Sequence, residues 1–187
     1  MTIHSRLMTD RHAQLLDAAA AAFAERGFHA TTVTDIAERA GVSQGLLYRY
    51  FGGKDDLVVA LVERYVADLR RALDTAPSLG AALEALFTPA DDAEGRLLAE
   101  VLAEAHRNAR VAEVLRDADV RVAVALADRL RQAQTAGEVA PRLDADAAAS
   151  VLLALADGLA LRDSLADETP AALGATVDHL LARLLEP

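Results

Sequence analysis

The chain has no cysteine among its 187 residues, which excludes disulfides and thiolate chemistry. Proline is scarce, with five residues, and aromatic side chains make up only 4%. No run of about 18 uncharged apolar residues occurs, so no segment is a candidate membrane span. The first ten residues, MTIHSRLMTD, lack the apolar centre of a secretory signal, and the expected location is the cytoplasm. The five histidines, at positions 4, 12, 29, 106 and 179, have no metal-ligand spacing. No nucleophile–base pair or glycine-rich phosphate loop is apparent. The expectation is therefore a non-enzyme without metal or cofactor.

Alanine and leucine dominate a composition that is 53% hydrophobic. Both are strong helix formers, and the length allows one or two domains with a sizeable core. The net charge of −10 is unevenly spread. Residues 1–54 hold six Lys and Arg against five Asp and Glu, whereas residues 55–187 hold thirteen against twenty-four. A near-neutral segment joined to an acidic remainder suggests two parts with different partners. Acidity of the whole disfavours an architectural DNA binder without sequence preference, because such binding rests on phosphate neutralisation. It leaves room for a local phosphate-binding face.

Helical signals fill the chain. Asp10 is the expected N-cap of a first helix whose inner stripe is Leu15, Leu16, Ala19, Ala20 and Phe23. Gly27 closes it, and Phe28 folds back onto the core. In TTVTDIAERAG, Thr32 caps a two-turn helix, Asp35 imitates a capping box, and Gly41 ends it. Ser43 then caps a third helix to about Tyr50. Two short helices joined by a glycine-containing turn form a helix-turn-helix. Further helices are expected from Lys54 to Thr75, Ser78 to Thr88, Asp91 to Arg107, Arg110 to Thr135, Asp144 to Leu165 and Thr169 to Leu185. The expected fold is all-α with about nine helices.

The third helix has two different faces. At about 100° per residue, Leu46, Leu47, Tyr50 and Phe51 share one arc, while Gln44, Gly45, Tyr48 and Arg49 share the opposite one. The first set can pack on the preceding helices. The second carries long hydrogen-bonding side chains in place of the Glu and Lys usual at a solvated surface. Gln matches adenine edges, Arg matches guanine or phosphate, and Tyr donates to phosphate. Gly45 lets the backbone come close to a partner. Ser43 and the helix start capped by Thr32 offer hydrogen-bond donors to phosphate. The competing reading is structural, with Tyr48 and Tyr50 packed on the next helix and Arg49 paired with a surface carboxylate. The whole constellation favours a DNA groove.

The stretch TTVTDIAERAGVSQGLLYRYFGGKDDL resembles the DNA-binding segment of the TetR family of transcriptional regulators. The resemblance spans about residues 11–70 and rests on Phe23, Gly27-Phe28, Thr32, Ile36-Ala37, Ala40 to Ser43, Leu47-Tyr48, Tyr50-Phe51 and Lys54. Over residues 71–187 only the helical layout is similar. It implies a three-helix DNA-binding domain over 11–70, with a linker helix from about 54, and an effector-binding and dimerisation domain over 71–187. It implies phosphate contacts from Thr32, Ser43, Tyr48, Tyr50 and Lys54, and base contacts from Thr34, Gln44, Gly45 and Arg49. Two positions depart from the family pattern. Thr34 stands where many relatives carry Arg, and Gly52-Gly53 replaces a commoner Pro-Ser or Lys-Asn pair.

The function implied is a ligand-responsive homodimeric regulator, a repressor released from an inverted-repeat operator in double-stranded DNA by a small-molecule effector. The alternative is a helical enzyme or small-ligand carrier with a vestigial DNA-binding head. Salt-dependent, sequence-selective DNA binding separates the two. Pairing has its own support, because the penultimate helix is apolar nearly all round. Its stripe Val151, Leu152, Leu155 and Leu159, with Val177, Leu180, Leu181 and Leu184 of the last helix, is the expected dimer interface. Tyr65, Phe87, His106, Asn108, Arg121 and Asp157 are the candidate effector contacts. Nothing in the sequence selects the effector.

Overall fold

The computed structural model describes residues 3–87, 92–163 and 179. Among them are eight helices and no strand: α1 (Ile3–Arg26), α2 (Val33–Arg39), α3 (Gln44–Tyr48), α4 (Lys54–Thr75), α5 (Leu79–Phe87), α6 (Asp92–Ala105), α7 (Ala109–Ala136) and α8 (Ala145–Asp163). The expected last helix, with Val177, Leu180, Leu181 and Leu184, lies outside the described residues. Three boundaries differ from expectation. Asp10 sits inside α1 and does not cap it, since no Pro or Gly interrupts the helix between Ile3 and Asp10. In α3 the last turn tightens early: the N–H groups of Tyr50 and Phe51 both reach the Leu47 carbonyl, at 2.9 and 3.0 Å. α6 stops at Ala105 because Arg107 and Asn108 both donate to the Glu104 carbonyl, each at 2.9 Å.

The chain forms two compact units. The first comprises the described residues up to Tyr65 together with Arg96–Arg116. On α1, Leu15, Ala19 and Phe23 are buried at four-residue spacing, and the Phe28 ring closes beside Phe23 at 5.3 Å between centroids. Gly27 and Gly41 take φ of +81° and +65°, a left-handed backbone that ends α1 and α2 and that a side chain would disfavour. The capping box forms as read: Asp35 N donates to Thr32 Oγ1 at 3.1 Å, and Thr32 N donates to Asp35 Oδ2 at 2.8 Å. Gln14 Nε2 donates to the Ala40 carbonyl at 2.7 Å, and Arg39 grips Glu25 through two bonds of 2.6 and 2.7 Å. These contacts fix α2 on α1.

The corner between α6 and α7 is part of this first unit. Glu100 Oε2 accepts from Phe28 N at 2.7 Å, Asn108 Nδ2 donates to Asp55 at 2.8 Å, and Arg110 pairs with Asp56 at 2.5 Å. Glu104 is buried, with Oε2 3.3 Å from His29 Nε2. That nitrogen is also 3.3 Å from Arg107 Nη1. It donates to Glu104 when it carries a proton and accepts from Arg107 when it does not, so the two bonds exclude each other.

The second unit comprises Val66–Gly95 and the described residues from Asp117 onward. Leu73, Ala82, Leu126, Leu130 and Leu152 are buried at its centre. Ser78 caps α5, and Asp144 caps α8 by accepting from the N–H groups of Asp146 and Ala147 at 3.0 and 3.1 Å. On α8 the expected single stripe splits. Leu152 is 1% exposed and belongs to the unit's own core with Ala148, Ala149 and Leu153. Val151 and Leu155, at 61% and 36% exposed, face outward. One residue along a helix is about 100° of rotation, so Val151 and Leu152 cannot share a narrow face.

Candidate nucleic-acid interface

The turn between α2 and α3 positions the candidate reading face. Gly41 N and Val42 N donate to the carbonyls of Glu38 and Ala37, at 3.0 and 2.9 Å, and so fold the chain back. Ser43 Oγ then accepts from Leu46 N at 3.2 Å and caps α3 while its own hydroxyl proton remains outside that bond. Leu47 is fully buried and Phe51 nearly so, which anchors one side of α3. Gln44, Gly45, Tyr48 and Arg49 are all exposed on the other side, Tyr48 by 55%. A Cβ placed at Gly45 would meet nothing within 4 Å, so the backbone there is open to a close partner.

The other expected contacts divide. Thr34 is exposed on α2, where its Oγ1 accepts from Gln44 Nε2; the structure brings these two together. Thr32 is exposed, but its hydroxyl donates to Asp35 Oδ2 at 2.6 Å and its N–H goes to the same oxygen. These bonds from Thr32, with Arg26 beside it, hold the Asp35 carboxyl below the usual carboxylate range. Tyr50 is half-buried, its ring 6.5 Å from that of His12. Lys54 Nζ donates to the Phe28 carbonyl at 2.7 Å and lies 4.4 Å above the Phe28 ring, so one of its three N–H groups is committed inside the fold. The Gly52-Gly53 joint is tied down: Gly52 N donates to Asp56 Oδ2 at 2.7 Å. Arg110 and this N–H hold Asp56 below its ordinary range.

The candidate effector contacts are divided between the two units. Tyr65, His106 and Asn108 fall in the first unit, and Phe87, Arg121 and Asp157 in the second. His106 is exposed, with Nδ1 2.8 Å from the Leu102 carbonyl. Asn108 caps α7, its Oδ1 accepting from Arg110 N and Val111 N. Tyr65 is exposed and Phe87 half-buried. Arg121 pairs with Asp117 at 3.0 Å and borders a surface groove of about 300 Å³ with Arg70, Val120, Val124, Arg129 and Gln132. Burial raises the Asp157 carboxyl to about 6, helped by the negative charge of Asp119. Sequence reading missed this groove, whose parts come from α4 and α7, and also missed Glu100 and Glu104. The advance signal for the glutamates was two acids four residues apart within the apolar run from Leu97 to Ala105.

The profile of bacterial regulatory proteins of the tetR family matches residues 15–61, and that of the C-terminal part of BetI-type transcriptional repressors matches residues 76–186. The chain belongs to the TetR family. This TetR-family chain is 30% identical over 152 residues to the HTH-type transcriptional regulator UidR of Escherichia coli K12, spanning 78% of each. It is 33% identical over 172 residues to the HTH-type transcriptional regulator TtgR of Pseudomonas putida, spanning 82% of the chain and 80% of that relative. The solved structure of Salmonella enterica GusR matches with a TM-score of 0.78 at 27% identity, covering 94% of this chain and 95% of that one. As a TetR-family member the chain is a ligand-responsive, DNA-binding regulator of transcription. No helix among the described residues is long and apolar enough to cross a membrane.

Proposed function

We propose that this regulator is a repressor that binds an inverted-repeat operator as a homodimer and leaves it when a small-molecule effector binds. The observation that carries the proposal is the exposed face of α3, where Gln44, Gly45, Tyr48 and Arg49 stand outward from a helix anchored by buried Leu47. The match to a repressor-type C-terminal profile supports the direction of control. In this reading residues 11–70 read DNA, and residues 71–187 bind the effector and pair. Gln44 and Arg49 meet base edges, and Ser43, Tyr48 and Tyr50 meet phosphates. Phe87, Arg121 and Asp157 remain the candidate effector contacts. The α6–α7 corner, which grips Phe28, Asp55 and Asp56, is the element through which an effector would release the reading helices. Effector and operator then weaken each other's binding by the same factor.

The test is selection of bound sequences from random duplex DNA, repeated with a metabolite library. An enriched inverted repeat that is lost on adding one metabolite is the expected result. A protein that enriches no sequence, or one whose binding no metabolite alters, contradicts the proposal.

A further inference from the structure

Gln44 is the first residue of α3 and Thr34 the second of α2, and their side chains meet across the turn. Gln44 Nε2 donates to Thr34 Oγ1, and both residues are exposed on the face assigned to DNA. A carboxamide has two N–H donors and two acceptor lone pairs on its oxygen. Thr34 takes one N–H. The second N–H and Oε1 remain, and these are the two groups that pair with N7 and N6–H of adenine in the major groove.

We propose that Thr34 is a positioning residue for Gln44 and makes no base contact of its own. Its hydroxyl holds the amide nitrogen toward α2 and so turns Oε1 outward. This selects one of the two orientations in which a glutamine could enter the groove. It also restricts a side chain whose freedom would otherwise be lost only on binding. The shortness of Thr34 fits this role, since a side chain ending at Cγ2 and Oγ1 reaches its neighbour more readily than a base. The inference rests on the DNA-reading function proposed above.

The test compares sequence selection by the full-length wild type with Thr34→Val, Thr34→Ser, Gln44→Ala and the double variant Thr34→Val/Gln44→Ala. Gln44→Ala should erase the preference at one base position in each half-site. Thr34→Val keeps the branched shape and loses the hydroxyl. It should weaken discrimination at that same position about threefold to tenfold, the worth of one net hydrogen bond. Thr34→Ser should restore it, and the double variant should match Gln44→Ala. Thr34→Ala serves in place of the valine variant if the latter does not fold. A changed preference at a different base, a uniform loss over all sequences, or an unchanged pattern in Thr34→Val each overturns the inference while leaving the DNA-reading function standing. A wild type that selects no sequence removes both.

Discussion

Lys54 reaches back 26 residues to the Phe28 carbonyl and lies over the same residue's ring. A charged hydrogen bond of this kind, once removed, leaves a partly buried carbonyl without its donor. Lys54→Met should therefore lower the urea-unfolding stability by about 1–2 kcal/mol. Unchanged stability, together with a salt slope of DNA binding that falls by about one, would return Lys54 to a direct phosphate contact. Asp157 provides a pH-dependent test. Its carboxyl is raised to about 6 by burial first and by Asp119 second, so the folded chain holds a proton that the unfolded chain releases near 4. Between these values the folded state binds more protons, and stability falls as pH rises through the window. Asp157→Asn removes the burdened charge. Above pH 6 it should be more stable than wild type by on the order of 1 kcal/mol, after allowing for solvent screening. The advantage should vanish toward pH 4. Equal stability of the two proteins at pH 7 would show that Asp157 is not desolvated.

The helix-turn-helix was legible almost residue by residue because its signals are local. A cap, an acid three positions on, a glycine at the turn and a second cap each act within one turn of backbone, and Thr32, Asp35, Gly41 and Ser43 all take the roles read for them. The α6–α7 corner was not legible. Its bonds from Glu100 to Phe28 and from Asn108 to Asp55 span 72 and 53 residues, and no local pattern announces which distant amide an acid will meet. The same limit explains α8. Its near-continuous apolar surface identified burial on several sides but not which side, and Leu152 went to the core while Val151 and Leu155 stayed outside. Glu100→Ala tests the corner as an element. It leaves the Phe28 N–H without its acceptor and should cost about 1–3 kcal/mol by chemical denaturation. Operator affinity should also fall, although Glu100 stands nowhere on α2 or α3. Full stability in this variant would mean that the corner is not a structural tie.

At the level of the whole molecule, the proposed dimer would bring two reading heads to the operator, which would explain how a chain of net charge −10 holds DNA. Linking two half-site contacts makes the second effectively intramolecular and can raise affinity by about 10²–10⁴ when the geometry fits. The exposed pair Val151 and Leu155, with half-buried Leu159, belongs to the proposed pairing surface. Leu155→Arg should leave helical content intact, reduce the sedimenting mass to that of one chain and lower operator affinity steeply. A dimeric Leu155→Arg protein with normal operator binding would place the interface elsewhere. Selection from random duplex DNA by wild type and Gln44→Ala tests most directly whether the outward face of α3 reads base sequence. The wild type should enrich an inverted repeat. Gln44→Ala should lose about 1–3 kcal/mol of discrimination at a single position per half-site while the rest of the pattern stays. Enrichment of the same bases at every position by both proteins, or of none by either, would contradict base reading by α3.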